Sequence, residues 1–281
     1  MIPAILISFL LFAIFSLLLL HSEQILSLYP LGELLFSSSW KPLGGEFGFF
    51  PFIMGTVWVT CLAMLFSVPV SVLSAIYLSE YAHPKIRKII QPFIDLLAGI
   101  PSVVYGLFGI ILIVPVIRDY LAPMAGESGS GYSVLAGGFV LSIMVFPILI
   151  SIMHEVLGTV PVEMREASLT LGANKWETIK KVVLRKAYPG IIAAIILGFS
   201  RAFGETMAVL MVVGNVAIVP ESIFDPAYPI PALIANNYGE MMSVPIYDSA
   251  LMFAGLILFV MVVVFNIASK YVLIKIKRRV A

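Results

Sequence analysis

The sequence predicts an all-α integral membrane protein with six transmembrane helices, and three observations predict it. Hydrophobic residues make up 60% of the chain and charged residues only 12%, against roughly 25% charged in soluble domains. Uncharged runs such as 2–20 and 252–267 approach the ~20 apolar residues a helix needs to cross about 30 Å of hydrocarbon. These runs do not alternate apolar with polar positions, as the strands of a membrane barrel do. A net charge of +1 supplies no basic surface for neutralising nucleic-acid phosphates, so the expected surroundings are membrane lipid and no nucleic acid. Cys61, the single cysteine, excludes an intrachain disulfide and a cysteine-rich metal site; inside an apolar run it reads as a small buried residue.

Taken in order, the first span covers 2–20. It has no basic flank and no small-residue cleavage site before His21, so it reads as a membrane helix rather than a cleaved signal, with the true amino-terminal start left open. A long outer connection, 21–51, leads to a second span at 53–77. Lys85, Arg87 and Lys88 follow it. The third span, 93–117, contains Pro101, which removes a helix hydrogen bond, together with Gly99, Gly106 and Gly109. It should therefore bend or break and pack tightly. Ser102, Tyr105 and the freed backbone groups either line a path or serve a plain structural kink. Asp95 and Glu80, near a cytoplasmic end, read as interfacial charges.

A short outer connection, 118–133, precedes the fourth span at 134–153. Six basic residues follow: Arg165, Lys175, Lys180, Lys181, Arg185 and Lys186. The fifth span is 191–213. The outer connection after it, 215–248, holds five prolines at 220, 226, 229, 231 and 245, which deny it regular backbone donors; it lines a pathway, receives a partner, or simply connects. The last span, 249–273, closes on Lys270, Lys275, Lys277, Arg278 and Arg279. These three clusters hold 14 of the 17 basic residues, which places both termini in the cytoplasm. With no internal repeat, one membrane domain over 1–281 is the simplest organisation, with a cytoplasmic loop at 155–188 inside it. His21, His83 and His154 form no ligand cluster, so no metal is expected.

The loop between spans four and five reads as helix, break, helix. Pro161 suits a helix start, Gly172 the left-handed residue that ends one, and Asn174 the cap of the next. Trp176, Ile179 and Val183 then fall at i, i+3 and i+7, an apolar stripe beside Lys175, Glu177 and Lys180. Such a helix lies against the membrane surface or covers a partner. The string Glu166-Ala167, Gly172-Ala173, then Trp176 and Ile179, resembles the coupling loop of permease subunits in ATP-binding-cassette importers. That resemblance implies a type I importer permease fold whose cytoplasmic coupling helix docks on a nucleotide-hydrolysing subunit. Arg185 departs from the family, which often places proline just after the closing hydrophobics. The chain has no Gly-Lys dipeptide and hence no phosphate-cradling Gly-x-x-x-x-Gly-Lys loop. It is expected to be no enzyme and to bind no cofactor directly, ATP-Mg belonging to the partner.

In span five, Arg201 and Glu205 are four apart, which on a continuous helix puts them on one face, close enough to pair. Charges at membrane depth mark function or lock helices together. Either Arg201 presents its donors to a translocating oxyanion while Glu205 limits how tightly it is held, or the two form a structural ion pair. The segments Leu-Ala-Gly-Ile-Pro-Ser-Val-Val-Tyr-Gly at 97–106 and Arg-Ala-Phe-Gly-Glu-Thr-Met-Ala-Val at 201–209 resemble the phosphate importer permeases, families PstC and PstA. The ending Gly-Glu-Thr-Met-Ala-Val at 204–209, and Trp40-Lys41-Pro42 with Phe47-Gly48 before the second span, are closer to PstC. The resemblance implies a PstA-like second permease, a PstB-like ATPase dimer and a PstS-like extracytoplasmic phosphate-binding protein. It maps Arg201 and Glu205 onto charged positions associated with phosphate passage. Runners-up are a PstA-like chain, a permease for another oxyanion, or a standalone gradient-driven transporter or channel. The last leaves the docking loop unexplained.

Overall fold

Long apolar helices that satisfy their own backbone dominate the fold, because lipid offers no hydrogen bonds in compensation. The computed structural model describes residues 2–239 and 245–280, without the side chains of 2–5, 8, 245 and 277–280. Residues 240–244 of the last outer connection and the side chains of Lys277, Arg278 and Arg279 thus lie outside the described residues. Among the described residues five helices are long and apolar enough to cross a membrane. These are α4 (Phe50–Tyr81), α6 (Ser102–Met124), α7 (Val134–Gly158), α9 (Lys175–Phe203) and the last helix, α12 (Pro245–Val280). Helix α1 (Ile2–His21) is apolar as well, with Phe9–His21 the shorter stretch so described.

Helix α1 runs along α12, with Phe15 and Phe259 rings 5.9 Å apart. The connection after it folds into α2 (Glu23–Leu28), α3 (Leu31–Phe36) and a hairpin of β1 (Trp40–Lys41) and β2 (Glu46–Phe47). The antiparallel register pairs Trp40 with Phe47 and Lys41 with Glu46. Trp40 packs edge-on against Phe47, Phe49 and Phe52, which ties the hairpin to the start of α4. The Ser39 hydroxyl and then Lys41 hold the Glu46 carboxyl below the usual carboxylate range.

Helices α4 and α7 form the centre of the bundle. A Cβ on Gly138 would meet Leu62 Cδ2 at 2.8 Å, the close approach that small residues permit between membrane helices. Cys61 faces outward and is exposed, not buried as expected: lipid is as apolar as a protein core, so an apolar run does not reveal which face is inside.

Two spans differ from expectation. The chain breaks at Gly99 to Pro101, so residues 93–98 belong to a separate amphipathic helix, α5 (Pro84–Ala98), and the third span starts at Ser102. Proline forces its predecessor out of the helical region, which keeps the first helix from continuing, and Pro101 itself is the residue that caps the next. The fifth span starts earlier and ends earlier than 191–213. It runs without interruption from Lys175 to Phe203, includes a widened turn at Ile179–Val183, and stops at Gly204. A loop helix, α8 (Val162–Thr170), connects α7 to α9. The 155–188 segment, expected as one cytoplasmic loop, is therefore α8 plus the ends of two spans.

Candidate functional site

The break at Gly204 organises the membrane site. Arg201 lies in the last turn of α9, where a cation opposes the negative helix end favourably. It is 15 residues beyond Lys186, roughly 22 Å along the axis. Past Gly204 the chain turns into α10 (Met207–Leu210), and Glu205 Oε1 accepts from the Ala208 N–H at 3.2 Å. Arg201 and Glu205 thus stand on opposite sides of a break rather than on one continuous face. Among the described residues they form no ion pair. Arg201 is exposed and Glu205 half-buried.

Glu205 lines a cavity of about 10 Å³ together with Thr56 and Thr60 of α4, Ala202, Pro229 and Pro231. That volume holds about one water. The proline-rich outer connection does more than connect: it turns back into the bundle. The Ile230 N–H donates to Thr56 Oγ1 at 2.9 Å, and α11 (Ile230–Asn237) starts there with Ile230 and Leu233 fully buried. Sequence reading missed Thr56 and Thr60; as hydroxyls one turn apart in an otherwise apolar span they were the available signal.

Tyr105 is buried, and its hydroxyl donates to the Leu97 carbonyl at 2.7 Å. It adds a second donor to a carbonyl at the end of α5 that also accepts the Ile100 N–H at 3.2 Å, and sits within electrostatic reach of Arg201. Ser102, half-buried, opens α6 on the same side of the break. Gly106 and Gly109 bring α6 against the chain after Glu205: a Cβ on Gly106 would meet Met211 Sδ at 2.6 Å, and one on Gly109 Val212 Cγ1 at 2.6 Å.

The cytoplasmic loop follows its local signals. Pro161 precedes α8, Gly172 has φ 87°, and Asn174 and Glu177 cap α9 reciprocally, the Glu177 N–H donating to Asn174 Oδ1 at 2.9 Å and the Asn174 N–H to Glu177 Oε2 at 3.1 Å. Glu166 and Ala167 are exposed on α8, and Ala173 is half-buried after the turn. The expected apolar stripe divides in two. Ile179 is only 1% exposed and Val183 is buried beside it in the chain's own core, so Ile179 anchors the loop instead of docking a partner. Trp176 remains 52% exposed and Leu171 89%. The stripe was read as unsatisfied because the start of α9 was taken for a separate loop helix, whereas it continues the span and packs on α4 and α7.

Arg165, on the inner side of α8, joins three elements. Its Nη2 donates to Glu80 Oε1 at 2.8 Å and its Nε to Oε2 at 3.3 Å, so Glu80 at the end of α4, read from the sequence as an interfacial charge, is an interhelix partner. The same guanidinium donates to the Leu157 carbonyl at 3.0 Å, at the end of α7, and to the Val160 carbonyl just past it.

The family described as binding-protein-dependent transport system inner membrane component matches residues 67–278. A probable ABC transporter permease protein, YqgH of Bacillus subtilis (strain 168), is 40% identical over 241 residues, 85% of this chain and 76% of that one. The phosphate transport system permease protein PstC of Xylella fastidiosa (strain 9a5c) is 37% identical over 258 residues, covering 87% and 79%. PstC of Haemophilus influenzae (strain ATCC 51907 / DSM 11121 / KW20 / Rd) is 32% identical over 98% of this chain and 91% of its own. In fold, the chain resembles the inward-facing MetNI methionine ABC transporter, with TM-score 0.62 and 15% identity over 85% of this chain and 99% of that one. A bacterial alginate ABC importer gives 0.61 and 16% over 81% and 79%. Permease subunits of this kind leave ATP hydrolysis to a separate ATPase and work with a binding protein. The chain therefore belongs to the binding-protein-dependent transport system inner membrane components, multi-pass membrane permeases, and within them to the PstC-type permeases of ABC importers.

Proposed function

We propose that this chain conducts inorganic phosphate inward as one permease of an ATP-driven importer. A PstS-like binding protein delivers phosphate from outside, a PstA-like permease completes the pathway, and a PstB-like ATPase dimer, holding ATP-Mg, docks on the exposed side of α8 with Glu166, Ala167, Leu171 and Trp176. The reading carries six crossings, α1 being the first, with both termini cytoplasmic.

The observation that carries it is the unpaired guanidinium of Arg201 at membrane depth, exposed and without an acidic partner among the described residues. A bare cation facing hydrocarbon costs about 2.5–3.5 kcal/mol or more, so Arg201 faces water or protein in the assembled importer. Its fork of N–H donors suits a bidentate oxyanion. Glu205 is held by the Ala208 N–H, so it does not compete for Arg201. Instead it places negative charge beside the path, which limits how tightly phosphate is retained and lets it leave. Ser102 stands on the neighbouring helix start. Tyr105 takes a positioning role, holding the α5–α6 break shut beside Arg201.

The test is labelled-phosphate uptake in cells lacking their own high-affinity system, with partner subunits co-expressed. Wild type restores uptake; Arg201→Ala abolishes it at equal membrane levels with the ATPase still bound. Uptake unchanged in Arg201→Ala removes Arg201 from the pathway. A wild type that assembles but takes up no phosphate refutes the substrate, and competition by sulfate or molybdate then identifies another oxyanion.

A further inference from the structure

We propose that the Arg165–Glu80 ion pair is the positioning link through which movement of α8 reaches the membrane cavity, on the reading that α8 docks an ATPase. Helix α8 presents most of its surface outward, Glu163, Glu166, Ala167, Leu169 and Thr170 all being exposed. Its inward side chains are polar. The Ser168 hydroxyl meets Thr178 Oγ1 of α9 at 2.9 Å, a tie to the next helix in the chain. Arg165 is the tie to the rest of the bundle, grasping both oxygens of Glu80 on α4, the Leu157 carbonyl at the end of α7 and the Val160 carbonyl just past it.

Three features make this contact a link rather than surface decoration. The pair is sheltered, Arg165 being 19% and Glu80 9% exposed at the side chain, unlike the solvent-facing pairs Lys41–Glu46 and Lys181–Glu177. Glu80 also sits where its own helix resists it, since a carboxylate at a helix C-terminus meets the negative end of the dipole; Arg165 offsets that repulsion and that of the two carbonyls together. Finally, α4 is a continuous helix from Phe50 to Tyr81, with Pro69 inside it and a widened turn at Tyr77–Tyr81 that holds Glu80. Displacement of Glu80 is carried to Thr56 and Thr60, which line the cavity with Glu205 and hold the returning outer segment through the Ile230 N–H. A second contact grips the same end of α4: Lys175 Nζ lies 4.6 Å from the Tyr81 ring centroid.

The experiment uses the complete importer in lipid nanodiscs, with Cys61→Ser and a reporter, Thr60→Cys, read by thiol-labelling rate with and without ATP plus vanadate. This readout needs no phosphate, so a wrong substrate leaves it intact while a broken link does not. In the reporter background, trapped nucleotide changes the labelling rate by about fivefold or more, the size of an ordinary allosteric coupling. Glu80→Gln, which retains shape and loses charge, removes that change while the ATPase subunit stays bound and basal hydrolysis stays within roughly twofold; Glu80→Asp restores most of the change. Should Glu80→Gln not accumulate in the membrane, Glu80→Asp is read alone, an intermediate change supporting the link and a full one overturning it. The proposal is also overturned if nucleotide leaves the reporter background unchanged, if Glu80→Gln responds like its parent, or if Glu80→Gln sheds the ATPase, in which case the pair merely holds the docking helix in place.

Discussion

Individual side chains in this permease act through what they cannot avoid touching. Gly109 allows α6 to lie against α7 and the chain after Glu205, and a Cβ there would stand 2.6 Å from both Val140 Cγ2 and Val212 Cγ1. Gly109→Ala is therefore expected to cost about 1–3 kcal/mol by overpacking. It lowers the melting temperature of the purified subunit and uptake together, because the displaced segment carries Glu205. Gly172 is the opposite case. Nothing lies within 4 Å of its would-be Cβ, yet its φ of 87° excludes a β-branched residue. Gly172→Val should leave insertion and span packing intact while ATPase retention and uptake fall; normal retention would show that the turn does not shape the docking surface.

At the scale of elements, α9 is a span whose first turns also form half of the loop proposed to dock the ATPase, so on that reading they divide their side chains between core and partner. Ile179→Ala removes a side chain buried in the core and should destabilise the permease by about 2–5 kcal/mol, visible as reduced accumulation and lower melting temperature. Trp176→Ala should leave melting unchanged and weaken co-purification of the ATPase. If instead Trp176→Ala melts early and Ile179→Ala is stable but uncoupled, the division is wrong. Asn174→Ala opens the reciprocal cap at the start of the same helix and should cost about 1 kcal/mol, loosening the turn that positions Leu171.

For the whole molecule, the distribution of Lys and Arg predicts an orientation with α5, α8 and the end of α12 on the cytoplasmic side. In a Cys61→Ser background, Ser128→Cys is expected to react with an impermeant thiol reagent added outside intact cells. Lys88→Cys should react only after permeabilisation. The reverse pattern would invert the orientation and, with it, the placement of the docking loop.

What the sequence by itself determined lies in local rules. Apolar run length located the five long spans, though not the ends of the third and fifth; the Pro161, Gly172 and Asn174 signals marked the start and end of α8 and the start of α9; and motif likeness specified the family. The tertiary structure alone decided which faces turn inward, because a lipid-facing residue and a core residue are equally apolar; Cys61 was misplaced for that reason, and Ile179 because the start of α9 was taken for a separate loop helix. It also decided pairings across long sequence separations. Spacing of four suggested that Arg201 and Glu205 share a face, but Gly204 ends the helix between them. Arg165 finds Glu80 85 positions away, and Ile230 finds Thr56 174 positions away. No periodicity encodes those contacts, since they arise only when separate helices pack and each buried polar group must find whatever partner the packing leaves within reach.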